Sequence, residues 1–311
     1  MSTMFDVATF TAAEPGPRLL VLGAVHGNEV CGALAIRRVL AELNSGALRI
    51  ARGQATFVPV TNRLAFERGT RNGDRNLNRN LAPTESPRDN EDRIANELCP
   101  LLARNDVLLD LHSFHSPGIP FVMLGPENND GTLQPFKLAE KEEALACRLG
   151  VRRAVDGWLE TYASGVARRG GAVKYGIGTT EFMRAAGGYG VTLECGQHED
   201  PNAPEVAYAA IRRALAHLGL VPGPRPAGPE DMEVLRLAEV IDRAEAGDTF
   251  VRDWHSFDRV RQGDPVGRRG DGAPIRAGRD GFIVFPNARA EVGNEWFYFA
   301  EACSRRGLGT R

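Results

Sequence analysis

The sequence has no long apolar run, no dominant charge and few cysteines, and each shortage excludes something. No stretch of about 18 consecutive apolar residues occurs, so no transmembrane helix is expected. The formal net charge is -2, which removes any bulk attraction to nucleic acid or to an anionic membrane. The five cysteines are odd in number and scattered, and none forms a Cys-x-x-Cys pair. That usage suits a reduced, cytoplasmic protein with buried thiols rather than a disulfide scaffold. The opening "MSTMFDVATFTAAEPGPR" lacks a basic start followed by an apolar core, so it does not read as a signal peptide. No internal repeat or low-complexity tract is present.

What is there is an alternation of strand and helix patterns. The 311 residues are enough for one large domain, or one plus a smaller one. "RLLVLGAVHG" is a short apolar run ending in glycine and reads as a buried strand. In "EVCGALAIRRVLAELNSG" the residues Ala33, Ile36, Leu40 and Leu43 share a helical face, and Asn44 to Gly46 supply the stop. "ATFVPV", "DVLLDLH" and "GVTLECG" read as further strands; "IANELCPLLARN", "FKLAEKEEALACRLG" and "APEVAYAAIRRALAHLGL" read as helices. Between "ATFVPV" and "IANELCPLLARN" lies a long polar loop, residues 62–93. Ser164 to Gly190 is glycine-rich and carries no clear period. These elements predict an α/β fold with a mixed central sheet flanked by helices. "GLVPGPRPAGPED" reads as a linker, which divides the chain into residues 1–222 and a small β-rich domain at 223–311.

Chemistry concentrates at the strand ends. His26 and Glu29, in "GAVHGNEVCG", follow the first strand, and His112 ends the most apolar one. In open α/β sheets ligands collect at the carboxyl ends of strands. Two histidines and a glutamate make a first shell for Zn²⁺ with a position left for water; a surface pair is the plain alternative for His26 and Glu29. Asp110 points to the same side of its strand as His112, either to support it or as a buried carboxylate. Glu194 ends a third apolar strand, as a solvated edge residue or as a general base. The polar loop holds Arg71, Arg75 and Arg79 among Asn76, Asn78 and Asn80. A guanidinium fork matches a carboxylate, so this is a carboxylate-binding loop or a solvated one. His115 ranks behind His112 as a ligand, because residues three apart face different ways. His198 reads as a loop residue in solvent, and His217 and His255 as structural. Cys31 and Cys195 read as packing residues, and Trp296, Phe297 and Phe299 as core of the small domain.

"HGNE", "NLNR", "DLH" and "LECG", in this order, resemble the aspartoacylase/succinylglutamate desuccinylase family, within the wider zinc carboxypeptidase fold group. The resemblance runs from about Arg18 to the end of the chain. It implies a zinc carboxypeptidase-like fold with one Zn²⁺ per chain, held by His26, Glu29 and His112. It implies Glu194 as the catalytic glutamate and Arg71 as the arginine that polarises the scissile carbonyl. Asn78 and Arg79 match the pair that holds the substrate's α-carboxylate. Arg184 matches an arginine, and Tyr298 in "NEWFY" a tyrosine, that grip the substrate's side-chain carboxylate. The stretch "HSFHSPGIPFVML" departs from the family's pattern, so the acyl group does not carry over.

The expected activity is zinc-dependent hydrolysis of the amide bond of a small N-acyl amino acid, acidic or otherwise polar if Arg184 and Tyr298 act as matched. The alternatives are a metallocarboxypeptidase on small peptides and a non-catalytic, metal-containing binding protein. No nucleic-acid or membrane partner is expected, and a homo-oligomer is left open.

Overall fold

In a computed structural model the chain alternates strands and helices as far as residue 217, and the structure describes residues 3–303 and 305, apart from 169, 171 and 230. The order is β1 (Ala8–Thr11), β2 (Arg18–Leu22), α1 (Cys31–Ser45), β3 (Gln54–Val58), α2 (Arg63–Arg68), α3 (Asn90–Ala103), β4 (Val107–Phe114), β5 (Phe121–Met123), α4 (Ala139–Ala146), β6 (Arg153–Asp156), α5 (Trp158–Arg168), α6 (Thr179–Ala185), β7 (Tyr189–Gln197) and α7 (Ala203–His217). Strands then follow one another: β8 (Glu233–Asp242), β9 (Thr249–Phe250), β10 (Asp258–Val260), β11 (Pro265–Arg268), β12 (Pro274–Arg276), β13 (Gly281–Val284) and β14 (Glu295–Ala302). No helix among the described residues is long and apolar enough to cross a membrane.

Among the described residues, one mixed sheet of eleven strands runs β1-β3-β2-β4-β7-β5-β6-β8-β14-β13-β10, and β12-β11-β9 form a second. Strands β3, β2, β4 and β7 are mutually parallel. β5 is antiparallel to β7 and parallel to β6. The β-rich end of the chain joins this sheet: β8 pairs in parallel with β6, and β14, β13 and β10 continue antiparallel. The mixed sheet flanked by helices is the fold that the alternating patterns predict.

The strand period sorts the core. In β2, Leu19 and Val21 join the apolar cluster under α1 and α7, while Leu20 and Leu22 join the one under α3 and α6. Both faces are therefore dry, as suits a parallel strand covered on each side. Each such leucine contributes about 1.5–3 kcal/mol by leaving water. α1 buries Ile36, Val39 and Leu43 and stops where expected, with Gly46 in the left-handed region. α7 turns Ala203, Ala207, Ala210 and Ala214 to the sheet, which lets its backbone come close.

Three features differ from the sequence reading. The polar loop begins with a helix, α2, whose first turn is capped by the Asn62 side chain accepting from Ala65 N. The glycine-rich 164–190 stretch holds the end of α5 and all of α6. Strands β5 and β6, of three and four residues, are too short to show a period of two.

Candidate active site

The parallel strands β2, β4 and β7 lie side by side, and their carboxyl ends bring four predicted residues together. His112 and Glu194 are opposite each other in the β4–β7 register. His26 and Glu29 sit on the turn between β2 and α1. That turn is sharply made. Ala24 has φ 46, the left-handed region that costs a non-glycine residue about 1 kcal/mol or more. A Cβ on Gly27 would lie 2.0 Å from the carbonyl carbon of Ala65, so only glycine lets α2 press against the turn.

His26, Glu29 and His112 are all buried, and their ligand atoms lie within 4.8 Å of one another. Glu29 Oε1 is 2.8 Å from His26 Nδ1, and Oε2 is 2.8 Å from His112 Nδ1. Behind each ring stands an acceptor. Asn76 Oδ1 is 3.0 Å from His26 Nε2, and Asp110 Oδ2 is 2.9 Å from His112 Nε2. The Asn76 oxygen is identified by the Asn78 N–H that it also accepts at 2.9 Å. Protons on Nε2, toward these acceptors, would leave both Nδ1 atoms free to hold a cation beside the Glu29 carboxylate. Two imidazoles and a carboxylate converge in a buried space, and that donor set fits Zn²⁺. Burial, with Arg71 adding, pushes the His26 imidazole down to about 4 and keeps it neutral. Burial opposes a charged His112 too, but Asp110 and Glu29 outweigh it and raise its pKa well above the usual value.

Arg71 reaches this cluster from the polar loop: its Nη1 donates to Glu29 Oε1 at 2.7 Å, and its backbone oxygen accepts from Gly27 N. Glu194 is buried, and its Oε2 has no hydrogen-bond partner among the described residues. Burial, helped by Glu29 and Asp110 against His112 and Arg71, raises its carboxyl to about 8. A carboxyl brought this close to neutrality, with an orphaned oxygen, is suited to taking up a proton and giving it back.

The loop itself is shaped by a buried acid that the sequence reading missed. Glu91, in the first turn of α3, accepts from the backbone N–H groups of Gly73, Asp74 and Arg75, each at 3.1 Å. It also accepts from Asn62 Nδ2 at 2.8 Å. Arg75 is spent on the loop, bonded to Asp89 and Asp92. Asn78 and Arg79 face the cavity. Asn78 Oδ1 accepts from Thr179 N at 2.8 Å, and the Arg79 guanidinium lies over Trp158 and Tyr162, 4.8 and 5.1 Å from the ring centres.

A cavity of about 230 Å³ opens over the cluster, lined by His26, Glu29, Arg71, Asn78, Arg79, His112, Glu194, Arg184 and Tyr298 among others. Every candidate site residue named from the sequence therefore borders one space. Phe285, Pro286 and Tyr298 roof it from the C-terminal strands. Arg184 lies at Gly190, four residues before Glu194 along β7, and its guanidinium is held by Glu142.

Comparison with known proteins follows this geometry. Residues 15–135 match the Succinylglutamate desuccinylase/Aspartoacylase catalytic domain. "HGNE", "NLNR" and "DLH" fall inside the matched stretch and "LECG" beyond it, so the resemblance carried by the motifs is borne out. A search of curated proteins finds no match to the sequence. Among solved structures, the fold is similar to a succinylglutamate desuccinylase/aspartoacylase from Rhodobacter sphaeroides, with 18% identity, TM-score 0.74, and 97% of this chain and 90% of that one covered. It is similar also to a succinylglutamate desuccinylase from Silicibacter sp. TM1040, at 19% identity, TM-score 0.73, and 96% and 88% coverage. An aspartoacylase family protein from Mesorhizobium loti gives 24% identity, TM-score 0.66, and 97% and 90% coverage.

The remaining residues sort plainly. His115 lines the cavity but stands outside the ligand cluster. His198, expected in solvent, is instead half-buried: its Nδ1 is 2.8 Å from Ser113 Oγ and its ring packs edge-on to His115. His217 is half-buried at the end of α7, and His255 is exposed. Cys31 and Cys195 are buried, and Trp296 stacks on Phe250 in the core beside the small sheet.

Proposed function

We propose that the chain is a zinc-dependent amidohydrolase that cleaves an N-acyl amino acid to a carboxylate and a free amino acid. The observation that carries this reading is the pairing of a His26–Glu29–His112 cluster with an orphaned Glu194 oxygen on the adjoining strand. His26 Nδ1, His112 Nδ1 and Glu29 would hold the ion, and Asn76 and Asp110 would fix the two rings. Zinc in such a site acidifies water and draws electron density from a carbonyl.

The protein's own groups do the rest. Glu194 takes a proton from the attacking water and hands it to the departing amine. Arg71 donates to the carbonyl oxygen as negative charge gathers there. Asn78 and Arg79 hold the α-carboxylate, turning binding remote from the reacting bond into orientation. Phe285, Pro286 and Tyr298 from the β-rich end of the chain line a cavity of about 230 Å³, a size that favours a small substrate over a peptide. In this reading residues 223–311 act as the cap of the site.

The test is Glu194→Gln. Release of primary amine from a panel of N-acyl amino acids should fall by about 10²–10⁴-fold, while metal analysis still finds one zinc per chain. Activity that survives this substitution would remove Glu194 from the mechanism.

A further inference from the structure

The apolar core behind the cavity is left partly open on the side of Arg79. Phe114, Phe121 and Tyr298 belong to one buried apolar cluster, and Met123, Trp158 and Phe285 are partly buried and packed against it. Those last three all line the cavity. Trp158 stacks on Tyr162 with ring centres 5.5 Å apart and lies 5.5 Å from Tyr298, which is 6.3 Å from Phe285. Apolar side chains left half-covered around one concave space form a surface for an apolar group to cover.

Arg79 ties this surface to the substrate. Its guanidinium carbon is 4.8 Å from the centre of the Trp158 ring. A ligand carboxylate bonded to that guanidinium puts its α-carbon no more than about 10 Å from the ring centre. Aromatic rings already interact with centres about 4.5–7 Å apart, so a side chain that carries a ring spans the rest. The charges beside Trp158 are matched within the protein. Trp158, Leu124, Glu181 and Arg184 are walls shared with a second cavity of about 400 Å³, so the space continues past the ring. Arg184 is buried; its Nε and Nη2 donate to the two oxygens of Glu142, and Nη2 also donates to Gly190 O. Glu181 accepts from Gly178 N at 3.0 Å and from Thr180 Oγ1 at 3.2 Å, with Arg184 Nη1 at 3.4 Å. An acidic side chain finds no open guanidinium here. A cationic one would leave water for a carboxylate whose donors are already in place.

We propose that this site, taken as the deacylase site argued above, accepts an N-acyl amino acid with an uncharged, apolar side chain, and that Trp158 is the residue that selects it. The side chain lies against Trp158 and covers the open face of the apolar cluster, while Arg79 holds the carboxylate beside it. Burying a large apolar side chain in this way is worth about tenfold or more in kcat/KM over a methyl group.

The experiment uses the full chain loaded with zinc and the Nα-acetyl and Nα-succinyl derivatives of phenylalanine, leucine, alanine, aspartate and lysine. Amine release gives kcat/KM, and binding of the same compounds to zinc-loaded Glu194→Gln is measured by calorimetry. The expected order is phenylalanine, leucine, then alanine, with about tenfold or more between the ends and with aspartate and lysine below leucine. Trp158→Ala should narrow the phenylalanine-to-alanine ratio by about tenfold, whereas a merely structural loss lowers both rates alike. Trp158→Leu keeps bulk without the ring; it should remove the preference for phenylalanine over leucine, and it serves if the alanine variant does not fold. A preference for aspartate or lysine, or rates within threefold across the side chains, overturns the inference and leaves the deacylase reading standing. A phenylalanine preference that survives both substitutions overturns Trp158 as the selecting residue. Binding in the expected order without turnover of any derivative keeps the side-chain preference and overturns the deacylase reading. Neither turnover nor binding overturns both.

Discussion

Asp110→Asn is the substitution that asks most directly whether the buried cluster is built for a metal. Asp110 is fully buried, and its Oδ2 lies 2.9 Å from His112 Nε2 and accepts from Thr179 Oγ1 at 2.5 Å. Asparagine keeps the shape and removes the charge. If its oxygen takes the Oδ2 place, the Thr179 hydrogen bond survives but His112 loses the anion beside its Nε2 that makes its Nδ1 a strong donor. If its nitrogen takes that place, it meets two other donors. Either arrangement weakens the ring as a ligand. Loss of such a partner weakens metal binding by about 10–100-fold, or about 1.4–2.8 kcal/mol. Competition of the protein with a zinc-sensitive dye of known affinity reads this directly. Thr179→Val, which removes one anchor of the carboxylate but not its charge, should lose less. An Asp110→Asn protein with unchanged circular dichroism and zinc affinity within twofold of wild type would refute the assignment of His112 Nδ1 as a ligand.

Gly27→Ala puts a methyl carbon 2.0 Å from the Ala65 backbone, so α2 must move; a loss of about 1–3 kcal/mol, read as a lower denaturant midpoint, should come with weaker zinc binding. His217 is held neutral down to about 4 by burial, with Arg148 and Arg225 adding, against about 6.5 in an unfolded chain. Its folded pKa is depressed, so the unfolded chain binds the proton more readily; stability is full above pH 6.5 and is lost as pH falls toward 4. With its partial exposure discounted, the loss from this residue is under about 1 kcal/mol by pH 5.5, and His217→Gln should flatten the melting temperature between pH 7.5 and 5.5 by the corresponding amount.

The residues of the buried His26–Glu29–His112 cluster were legible because chemistry at strand ends leaves a local mark. An apolar run that stops at a histidine is visible in "DVLLDLH" whatever surrounds it. The residues that support them leave no such mark. Glu91 looks like any acid in the first turn of a helix, yet it gathers three backbone N–H groups of a loop 16 to 18 residues away. Glu142 lies in a run of charged residues that reads as a solvated face, and it is wholly buried because Arg184 arrives from 42 positions further on. Such pairings are tertiary, and no spacing rule reports them. Arg184 is an example: its position along the chain matches a substrate-binding arginine, while its guanidinium is held by Glu142. Among the elements, α1 and α7 were plain from their apolar stripes, whereas β5, with three residues, carries too little pattern to be seen.

The pairing of β8 with β6 has a mechanical consequence. Strands β14 and β13, which carry Tyr298 and lead into Phe285, are hydrogen-bonded through β8 into the same sheet that ends in His112 and Glu194. Roof and floor of the cavity are thus two regions of one stiff plate. A hinge between these two regions would have to break backbone ladders.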